Sequence, residues 1–446
     1  MGYSPHTPSE ISEMLNDIGV SSIEELFSDI PSAFLNTNFN IPESKSEFKV
    51  TSKIKNKIKT SPKDLINFSG GGVYDHFIPS VVNSISRRPE FLTPYTPYQP
   101  ECAQGTLQAI YEYQTAICRL TEMDSSNASL YDGGTALAEA ALMALKLTRK
   151  RRKIIIDSCV NFHYRNILKT YLSNIDCEII EIAPENYGID IDSFESSIDE
   201  NTCAVILQNP NFFGRIYDYT DIIEKAHSNG ALAILSVYPI SLGMLKTPGE
   251  MDADITTGEG QSMGMELNFG GPYLGFMAVK RKFARKLPGR IAGKTVDNHG
   301  KPGFVLTMQA REQHIRRQKA TSNICTNQNH CAIRALLYLI SVGKKGLREI
   351  SKQNYHKANY AKNLLSDING VRTPSHTTYN EFVIEFNNPA EDIYSKMLEK
   401  GFNAGILLGR IYPGMENNML ICVTEKLSRE TIDKFVQELK GIINNQ

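Results

Sequence analysis

Two adjacent glycines and a threonine form the first group of residues whose spacing has a chemical consequence. Gly133, Gly134 and Thr135 directly precede a helix-forming run, Ala136 to Leu147. Glycine lets the backbone approach a ligand closely, and the free amides and the dipole at a helix start attract anions. We therefore predict that these three residues hold the phosphate of a cofactor. The alternative interpretation is a turn followed by an ordinary helix cap.

The second group is the densest cluster of basic and polar side chains, residues 311–319, which small polar residues follow up to position 328. If this segment is one helix, side chains three or four positions apart share a face, so Arg311 lies near His314. Such a face can give electrostatic support to a charged ligand, whereas the alternative is a solvated, charged helix. The candidate site residues from this cluster are Arg311, His314, Arg316 and Arg317.

The third group lies in a proline-rich loop, residues 93–101. Its prolines, at positions 94, 97 and 100, fix the backbone angle φ and remove amide donors, which predicts a stiff, extended loop rather than a helix. Aromatic and amide side chains on such a loop can stack on a ligand or hydrogen-bond to it, whereas the alternative is a surface linker. The candidate site residues of the loop are Tyr95, Thr96, Tyr98 and Gln99.

Alternating strand-like and helix-like segments between about residues 106 and 300 have to position these groups. Amphipathic stretches such as Tyr219–Ser228 separate short apolar runs, and this pattern predicts an α/β fold with a mostly parallel sheet covered by helices. The apolar runs are Lys153–Ile156, Glu178–Ile182, Ala204–Leu207, Leu232–Leu235 and Leu274–Val279.

The two ends of the chain predict further elements. Hydroxyl-to-glutamate spacings at Thr7–Glu10 and Ser21–Glu24 predict two short helices whose apolar faces pack on the main body. From about Thr307 to Leu365 the pattern is helical, and the apolar runs Phe382–Phe386 and Leu420–Val423 predict a small C-terminal α/β unit. The expected domains are a helical extension over residues 1–66, a large domain over 67–325, and a helical connection with a small domain over 326–446.

Composition excludes several classes of protein. The 446 residues include 48 Lys and Arg against 49 Asp and Glu, and the resulting net charge of -1 provides no field for non-specific binding of nucleic acid or anionic lipid. No membrane span and no N-terminal secretory signal are visible in the sequence. Eight scattered cysteines without CxxC spacing indicate reduced thiols, so we expect a cytoplasmic protein without a zinc site.

Eight longer motifs are distributed along the whole chain. They are Tyr74–His76, Thr93–Glu101, Ser129–Gly133, Gln208–Gly214, Gly258–Gln261, Phe269–Pro272, Leu287–Arg290 and Arg311–Arg317. In this order they resemble the glycine dehydrogenases (decarboxylating), the P-proteins of the glycine cleavage system, and within that family the first subunit of the split form. The resemblance runs from about residue 3 to the C-terminal end.

This resemblance implies the architecture of fold-type I pyridoxal-phosphate enzymes, with a large, mostly parallel sheet domain and a smaller C-terminal α/β domain. It also implies the decarboxylation of glycine and the transfer of the remaining aminomethyl group to the lipoyl group of the H-protein. In such chemistry pyridoxal phosphate accepts the electrons that decarboxylation releases. A lysine normally holds the cofactor as an imine, and an aspartate keeps its pyridine nitrogen protonated.

The sequence departs from this requirement at both cofactor positions. Where fold-type I enzymes carry the lysine, residues 257–264 read Thr-Gly-Glu-Gly-Gln-Ser-Met-Gly, and no lysine occurs between positions 247 and 279. The residue in its place is Gln261 or Ser262. The strand expected to end in the aspartate reads Leu-Ser-Val-Tyr-Pro at 235–239, with no aspartate.

Two missing cofactor groups imply a subunit that works with a partner. The resemblance places pyridoxal phosphate on a second P-protein subunit and not covalently on this chain, with glycine as substrate and lipoylated H-protein as co-substrate. We predict that the loop and the basic cluster form a wall of the partner's active site, without nucleic acid or membrane as partner. The alternatives are a non-catalytic scaffold that stabilises the partner or docks H-protein, and a self-sufficient transferase that uses an unrecognised lysine.

Overall fold

Contacts between residues divide the chain into two compact units, residues 1–63 and residues 64–446. The domain bounds expected from the sequence, at positions 66 and 325, stay predictions. The computed structural model describes residues 6–35, 40–60, 65–92, 96–268, 271–320 and 322–444.

The N-terminal unit begins with the first of the two predicted helices. The amide of Glu10 donates to the hydroxyl of Thr7 at 3.4 Å, and the carboxylate of Glu10 accepts a hydrogen bond from the amide of Thr7 at 2.6 Å. This reciprocal pair is the predicted capping box, which is confirmed. The elements of the unit are the helices Pro8–Ile18 and Glu47–Thr60 and the 3-10 turns Glu24–Phe27 and Ser32–Phe34.

The second predicted capping box differs from the prediction. The amide of Ser21 donates to the carboxylate of Glu25 at 2.9 Å, and the amide of Glu25 donates to the hydroxyl of Ser22 at 3.3 Å. Glu24 is therefore not the capping residue, and the segment Glu24–Phe27 forms a 3-10 turn rather than the predicted helix. No side chain described in this unit is buried, and the expected packing on the main body stays a prediction.

A seven-stranded sheet organises the second unit. Its spatial order is β1-β7-β6-β5-β4-β2-β3, in which β7 runs antiparallel to both of its neighbours and all other pairs are parallel. The predicted mostly parallel sheet is therefore confirmed. In chain order the strands are β1 (Ser125–Ser126), β2 (Lys153–Asp157), β3 (Glu178–Ile182), β4 (Thr202–Asn209), β5 (Leu232–Val237), β6 (Ile255–Glu259) and β7 (Gly275–Val279).

Burial on both faces explains why these segments form strands. Every residue of β2, β6 and β7 is buried, as expected when helices cover both faces of a sheet. Strand β6 was absent from the sequence prediction because Ile-Thr-Thr-Gly-Glu lacks a continuous apolar run. It nevertheless lies inside the sheet, between β5 and β7, and its last residue is Glu259.

Helices and short turns connect the strands. The predicted helices near residues 136–147 and 219–228 are confirmed. Within the described ranges, no helix combines the length and the apolarity required to cross a membrane. The α-helices up to residue 230 are Ser80–Ser86, Pro89–Leu92, Gln104–Thr121, Gly133–Thr148, Phe162–Leu172, Ile191–Ser196 and Thr220–Ser228. Shorter elements are the strand pair Pro184–Glu185 and Gly188–Ile189 and the 3-10 turns Pro239–Gly243 and Arg281–Lys286.

The segment after β7 departs from the predicted long helix. Strands Ile291–Val296 and Pro302–Thr307 form an antiparallel hairpin, and the long helix begins only at Asn329 and ends at Ser366. The prediction of a helix from Thr307 is wrong because Met308 and Arg317 have positive φ angles, which a right-handed helix does not tolerate. Gly343, with φ 59° and ψ -178°, joins two helical stretches of the long helix at a kink.

The C-terminal part forms the predicted small α/β unit. The predicted runs near residues 382–386 and 420–423 are strands, which is confirmed. Phe68, Phe402 and Phe435 pack together in the core of this part, with the rings of Phe68 and Phe435 stacked at 4.0 Å. Its antiparallel sheet has the order Val371–Arg372, Glu381–Phe386, Asn418–Cys422 and Ile406–Leu407. Further elements are the paired strands Ile66–Asn67 and Phe402–Asn403, the turn Leu408–Arg410, and the helices Ala390–Glu399 and Arg429–Asn444.

Candidate functional site

The start of the helix Gly133–Thr148 lies at the carboxyl end of strand β6. Asp132 caps the helix, since its carboxylate accepts hydrogen bonds from the amide of Thr135 at 2.7 Å and from the hydroxyl of Thr135 at 3.0 Å. The residues predicted to hold a phosphate are therefore at a helix start, as the prediction requires. The amide of Thr135, however, already has a partner within the chain.

Close packing between helices accounts for the two glycines at this helix start. A β-carbon on Gly133 would lie 2.6 Å from the hydroxyl oxygen of Tyr164, and one on Gly134 would lie 2.5 Å from a methyl carbon of Ile167. Both of these side chains belong to the neighbouring helix Phe162–Leu172. Only glycine permits this approach. The phosphate affinity of Gly133, Gly134 and Thr135 stays a prediction.

Glu259 reaches from the end of β6 to the same helix start. One carboxylate oxygen accepts a hydrogen bond from the amide of Gly133 at 3.0 Å. The other accepts from the amides of Gln261 at 2.9 Å and Leu274 at 3.0 Å. Burial raises the pKa of Glu259 to about 7, against the three backbone donors, which lower it. A carboxylate of the chain itself therefore accepts from the first amide of the helix.

Gln261 occupies one of the two positions at which the cofactor lysine was expected. Its side-chain oxygen accepts from the amide of Tyr74 at 2.8 Å, and its side-chain nitrogen donates to the carbonyl of Tyr74 at 3.0 Å and to that of Met265 at 2.8 Å. Ser262, the other position, has a buried hydroxyl without a hydrogen-bond partner in the described part of the chain. Gln261 thus ties the glycine-rich segment around Tyr74 to the end of β6.

Aromatic side chains fill the place where the pyridine-binding aspartate was expected. Tyr238 follows β5 directly, its ring lies 4.3 Å from that of Tyr74, and its hydroxyl contacts the ring of His76. The hydroxyl of Tyr74 donates to Glu381 at 2.6 Å, and His76 pairs with Glu425 at 2.7 Å. Burial raises the pKa of Glu381 to about 7. These buried side chains therefore hydrogen-bond to one another.

Within the described residues, this pocket does not fit a pyridoxal phosphate held by the chain itself. Residues 257–264 offer no side-chain amine, and the amide of Gly133 already donates to Glu259. The lysines nearest in sequence are already paired: Lys246 with Asp218 at 2.8 Å, and Lys280 with Asp252 at 2.7 Å. No group of three His, Cys, Asp or Glu side chains in the described ranges could hold a metal ion.

A second cluster of polar groups lies beside the edge strand β1. Arg290 donates a hydrogen bond to the hydroxyl of Tyr98 at 2.8 Å, and its guanidinium lies 5.1 Å from the centre of the Tyr98 ring. The ring of His314 lies 6.1 Å from the same ring in edge contact. A carboxylate oxygen of Glu312 lies 3.7 Å from Nδ1 of His314 and 4.0 Å from Nε of Arg290. The carbonyl of Arg290 accepts from the amide of Ala128, just after β1, at 2.8 Å.

Burial distinguishes the members of this cluster. Tyr98 and His314 are exposed, whereas Arg290 and Glu312 are buried. Burial raises the pKa of Glu312, against the nearby cations, which lower it. One oxygen of Glu312 and Nε of Arg290 are buried without a hydrogen-bond partner in the described residues. The cluster thus presents two exposed rings on a base of incompletely paired buried charges, and we call these four residues the wall cluster.

Arg311 supports the wall cluster from behind. Its guanidinium donates to the carbonyl of Gly289 at 2.6 Å and also to the carbonyl of Leu287, which holds the turn that carries Arg290. Burial lowers the pKa of Arg311. Two of its nitrogen atoms are buried without a hydrogen-bond partner among the described residues. The geometry therefore favours a positioning role for Arg311 over direct contact with a ligand.

The basic segment is not one helix, so the predicted shared face of Arg311 and His314 is wrong. Residues 309–311 form a 3-10 turn, residues 313–316 form a single helical turn, and Arg317 has φ 53°. The polar sequence has no apolar periodicity that could fix a longer helix on the core. Arg316 and Arg317 are exposed, and Nε of Arg316 donates to the carbonyl of Ala310 at 3.1 Å.

The other loop residues contribute differently. Tyr95 lies outside the described residues. Thr96 is half-buried, and its carbonyl accepts from the amide of Tyr98 at 2.8 Å. Gln99 is exposed, and its carbonyl accepts from the amide of Cys102 at 3.2 Å, so the described part of the loop turns rather than extends.

Of the eight residues predicted to support catalysis, the structure brings Tyr98 and His314 into contact and places Arg311 behind them. Sequence reasoning did not select Arg290 or Glu312 as site residues. The one available signal was the Leu287–Arg290 motif, which contributed to the family resemblance without indicating a role. The proposed roles of all eight residues stay predictions.

Comparisons with known proteins agree with the family resemblance. Residues 1–439 match the family model described as glycine cleavage system P-protein. The chain is 51% identical over 441 residues to "Probable glycine dehydrogenase (decarboxylating) subunit 1" of Citrifermentans bemidjiense, covering 99% of each chain. It is 53% identical over 442 residues to the protein of the same name from Geotalea daltonii, covering 99% of this chain and 100% of that protein.

Solved structures give the same result for the fold. A crystal structure described as glycine decarboxylase (P-protein) of the glycine cleavage system, in inhibitor-bound form, matches with a TM-score of 0.89 and 39% identity, covering 99% of this chain and 100% of that chain. Glutamate decarboxylase of Lactobacillus brevis matches with a TM-score of 0.67 at 12% identity, covering 94% and 97%, which shows the fold alone. The expected architecture of fold-type I pyridoxal-phosphate enzymes is confirmed.

Proposed function

Because the chain belongs to the glycine cleavage system P-protein family, we propose that it is the subunit of glycine decarboxylase that works with a pyridoxal-phosphate-bearing partner, subunit 2. Together the two subunits decarboxylate glycine and transfer the aminomethyl group to the lipoyl group of H-protein. The cofactor and its chemistry belong to the partner, and this chain supplies part of the wall around them. We expect the assembly in the cytoplasm, as the scattered thiols predict.

The observation that carries this proposal is the filled pocket at the carboxyl ends of the strands. Gln261 takes three hydrogen bonds where a lysine would stand, and Glu259 takes three backbone donors at the helix start. Tyr238 follows β5 where an aspartate would stand. A chain with this pocket needs a second subunit to supply the cofactor amine.

The wall cluster supports a role at the partner's site. Arg290 donates to the oxygen of Tyr98, so the phenol uses that oxygen as acceptor and keeps its own proton free for an acceptor on the substrate or cofactor. Nδ1 of His314 faces Glu312, which leaves Nε2 as the nitrogen available to a ligand. The buried guanidinium of Arg290 stabilises negative charge nearby. In this proposal Tyr98 and His314 contact the reacting groups. Arg290 and Arg311 hold Tyr98 and His314 in position.

A non-catalytic scaffold is the second candidate, and specific observations favour it. Arg311 and Arg316 both donate hydrogen bonds to backbone carbonyls. Part of the basic segment therefore stabilises the local backbone. A scaffold would stabilise the partner or dock H-protein without touching glycine. The two candidates differ in whether exposed groups such as Tyr98 affect turnover once assembly is intact.

Exchange of labelled carbon dioxide into glycine tests the proposed function. The assay is run on this chain alone, on the partner alone, and on their mixture. We expect substantial exchange only in the mixture, because neither subunit alone has a complete site. Exchange by this chain alone would instead support a self-sufficient transferase, and full exchange by the partner alone would support the scaffold.

A further inference from the structure

Two carboxylates converge on the start of the helix Gly133–Thr148. Asp132 caps the amide of Thr135 from within the helix, as N-cap residues ordinarily do. Glu259 comes from a different element, the end of strand β6, and bonds the amide of Gly133 at 3.0 Å. The first amides of a helix are the donors that bind phosphate groups in many proteins. Here the amides of Gly133 and Thr135 are engaged by the chain itself.

The Glu259 carboxylate joins three segments of the fold. Besides Gly133 it bonds the amide of Gln261 in the turn after β6 and the amide of Leu274 at the entry to β7. These hydrogen bonds all come from backbone N–H groups, and Glu259 is almost fully buried. A ring of backbone amides around one buried anion is the chemistry of a phosphate cradle.

Side chains of the protein fill the space around the Glu259 carboxylate, where a ligand would otherwise fit. Gly133 approaches both Tyr164 and the β-carbon of Glu259, which lies 3.0 Å from the position of an added β-carbon. On the other side, Gln261 is fixed by its hydrogen bonds to Tyr74 and Met265. The space around the Gly133 amide is therefore filled by side chains of the chain.

We propose that Glu259 is an internal anion that replaces an external phosphate at this helix start, so that the chain's own pocket stays closed to pyridoxal phosphate and to free oxyanions. This inference goes beyond the proposed function, because it states how the pocket keeps its structure without a cofactor. Removing the carboxylate should turn the cradle into a binding site for a small oxyanion. Acetate, which has the same carboxylate group as the glutamate side chain, is the matching probe.

Chemical rescue of Glu259→Ala tests this proposal in the full-length chain. The midpoint of thermal unfolding is measured in acetate and in chloride at equal ionic strength. We expect the variant to unfold at a lower temperature than the unchanged chain, and acetate to raise its midpoint by about 3 °C relative to chloride. The unchanged chain should not respond differently to the two salts.

Glu139→Ala is the matched control. Glu139 is also buried, in the same helix, and burial raises its pKa to about 7, as for Glu259. One of its carboxylate oxygens has no hydrogen-bond partner in the described residues, whereas both oxygens of Glu259 accept from backbone amides. Acetate should not rescue this variant. The proposal would be overturned if the midpoint of thermal unfolding of Glu259→Ala were the same in acetate as in chloride. It would also be overturned if acetate raised the midpoints of both variants equally.

Glu259→Gln keeps the proposal testable if the alanine variant does not fold. The amide side chain preserves the shape but removes the charge and one acceptor, so hydrogen exchange at the amide of Gly133 should become faster. Unchanged exchange at this amide would overturn the proposal. The proposed function has its own readout on the same variant, because labelled carbon dioxide exchange of the mixture depends on the wall cluster and not on Glu259.

Discussion

The filled pocket and the wall cluster satisfy their polar groups in opposite ways. In the pocket, Glu259 and Gln261 take three hydrogen bonds each from or to the chain's own backbone. In the wall cluster, Arg290 and Glu312 are buried but retain atoms without a hydrogen-bond partner in the described residues. Buried polar groups are rarely left unpaired, because each costs about 1–3 kcal/mol.

This difference indicates which region depends on another molecule. A region whose buried groups pair internally keeps its structure alone, whereas a region with unpaired buried charges gains most from a partner. In the pocket that the fold would use for a cofactor, the carboxylate of Glu259 and the amide of Gln261 are paired internally, although the hydroxyl of Ser262 has no partner among the described residues. The edge of the sheet beside β1 is the region that we expect to complete a neighbouring site.

Arg290→Ala should have the largest effect on activity. It removes the cation beneath Tyr98 and one of the cations near Glu312, so labelled carbon dioxide exchange by the mixture should fall roughly 100-fold. Arg290→Lys should recover only part of the activity, because lysine keeps the charge but loses the planar fork. Rates are compared at equal concentrations of assembled complex, determined by analytical ultracentrifugation.

Arg429 provides a matched control for this substitution. It stacks on Tyr360 at 5.2 Å and donates to the Tyr360 hydroxyl at 3.2 Å, which repeats the arginine–tyrosine contact on the small α/β unit. Arg429→Ala should leave exchange unchanged within about twofold. Equal losses for both arginines would show that the wall cluster has no special role.

Tyr98→Phe should have a smaller effect, about tenfold on turnover, because it removes one hydrogen-bonding group and retains the ring. Assembly with the partner should be unchanged, since most of the ring's contact surface remains. Steady-state kinetics on the mixture, together with a binding titration, separate the two quantities. Tyr360→Phe serves as the control, and full turnover by Tyr98→Phe would support the scaffold instead.

Glu381, in the filled pocket, should make the stability of the folded chain depend on pH. Burial raises its pKa to about 7, so the folded chain binds this proton more tightly than the unfolded chain, in which the pKa is near 4.5. Stability therefore falls as the pH rises from about 4.5 through 7, by about 3 kcal/mol from this one group. Urea unfolding at pH 5 and pH 8 should show a smaller decrease for Glu381→Gln than for the unchanged chain. An identical pH dependence of both proteins would contradict the assignment.

The sequence predicted the sheet better than the sites. Apolar runs such as those of β2, β4 and β5 are long enough to identify buried strands, because their whole surface is covered. Strand β6 escaped detection because threonine and glycine dominate it, and its burial depends on neighbours far along the chain. The basic segment was wrongly interpreted as a helix, since polar spacing alone does not reveal the positive φ of Arg317.

The site residues that were missed depend on contacts between distant parts of the chain. Arg290 and Tyr98 are 192 positions apart, and Glu259 and Gly133 are 126 positions apart. Local periodicity carries no information about such pairs. The glycines at 133 and 134 were recognised as a close approach, and the side chains that approach them, Tyr164 and Ile167, are determined by tertiary packing alone.

The attachment site of pyridoxal phosphate distinguishes the proposed function from a self-sufficient transferase. The mixture of both subunits is reconstituted with the cofactor, reduced with borohydride, and digested, and the pyridoxyl-lysine peptide is identified by mass spectrometry. We predict that the modified lysine belongs to the partner alone and that this chain carries none. A pyridoxyl group on any lysine of this chain at a stoichiometry near one would contradict the account.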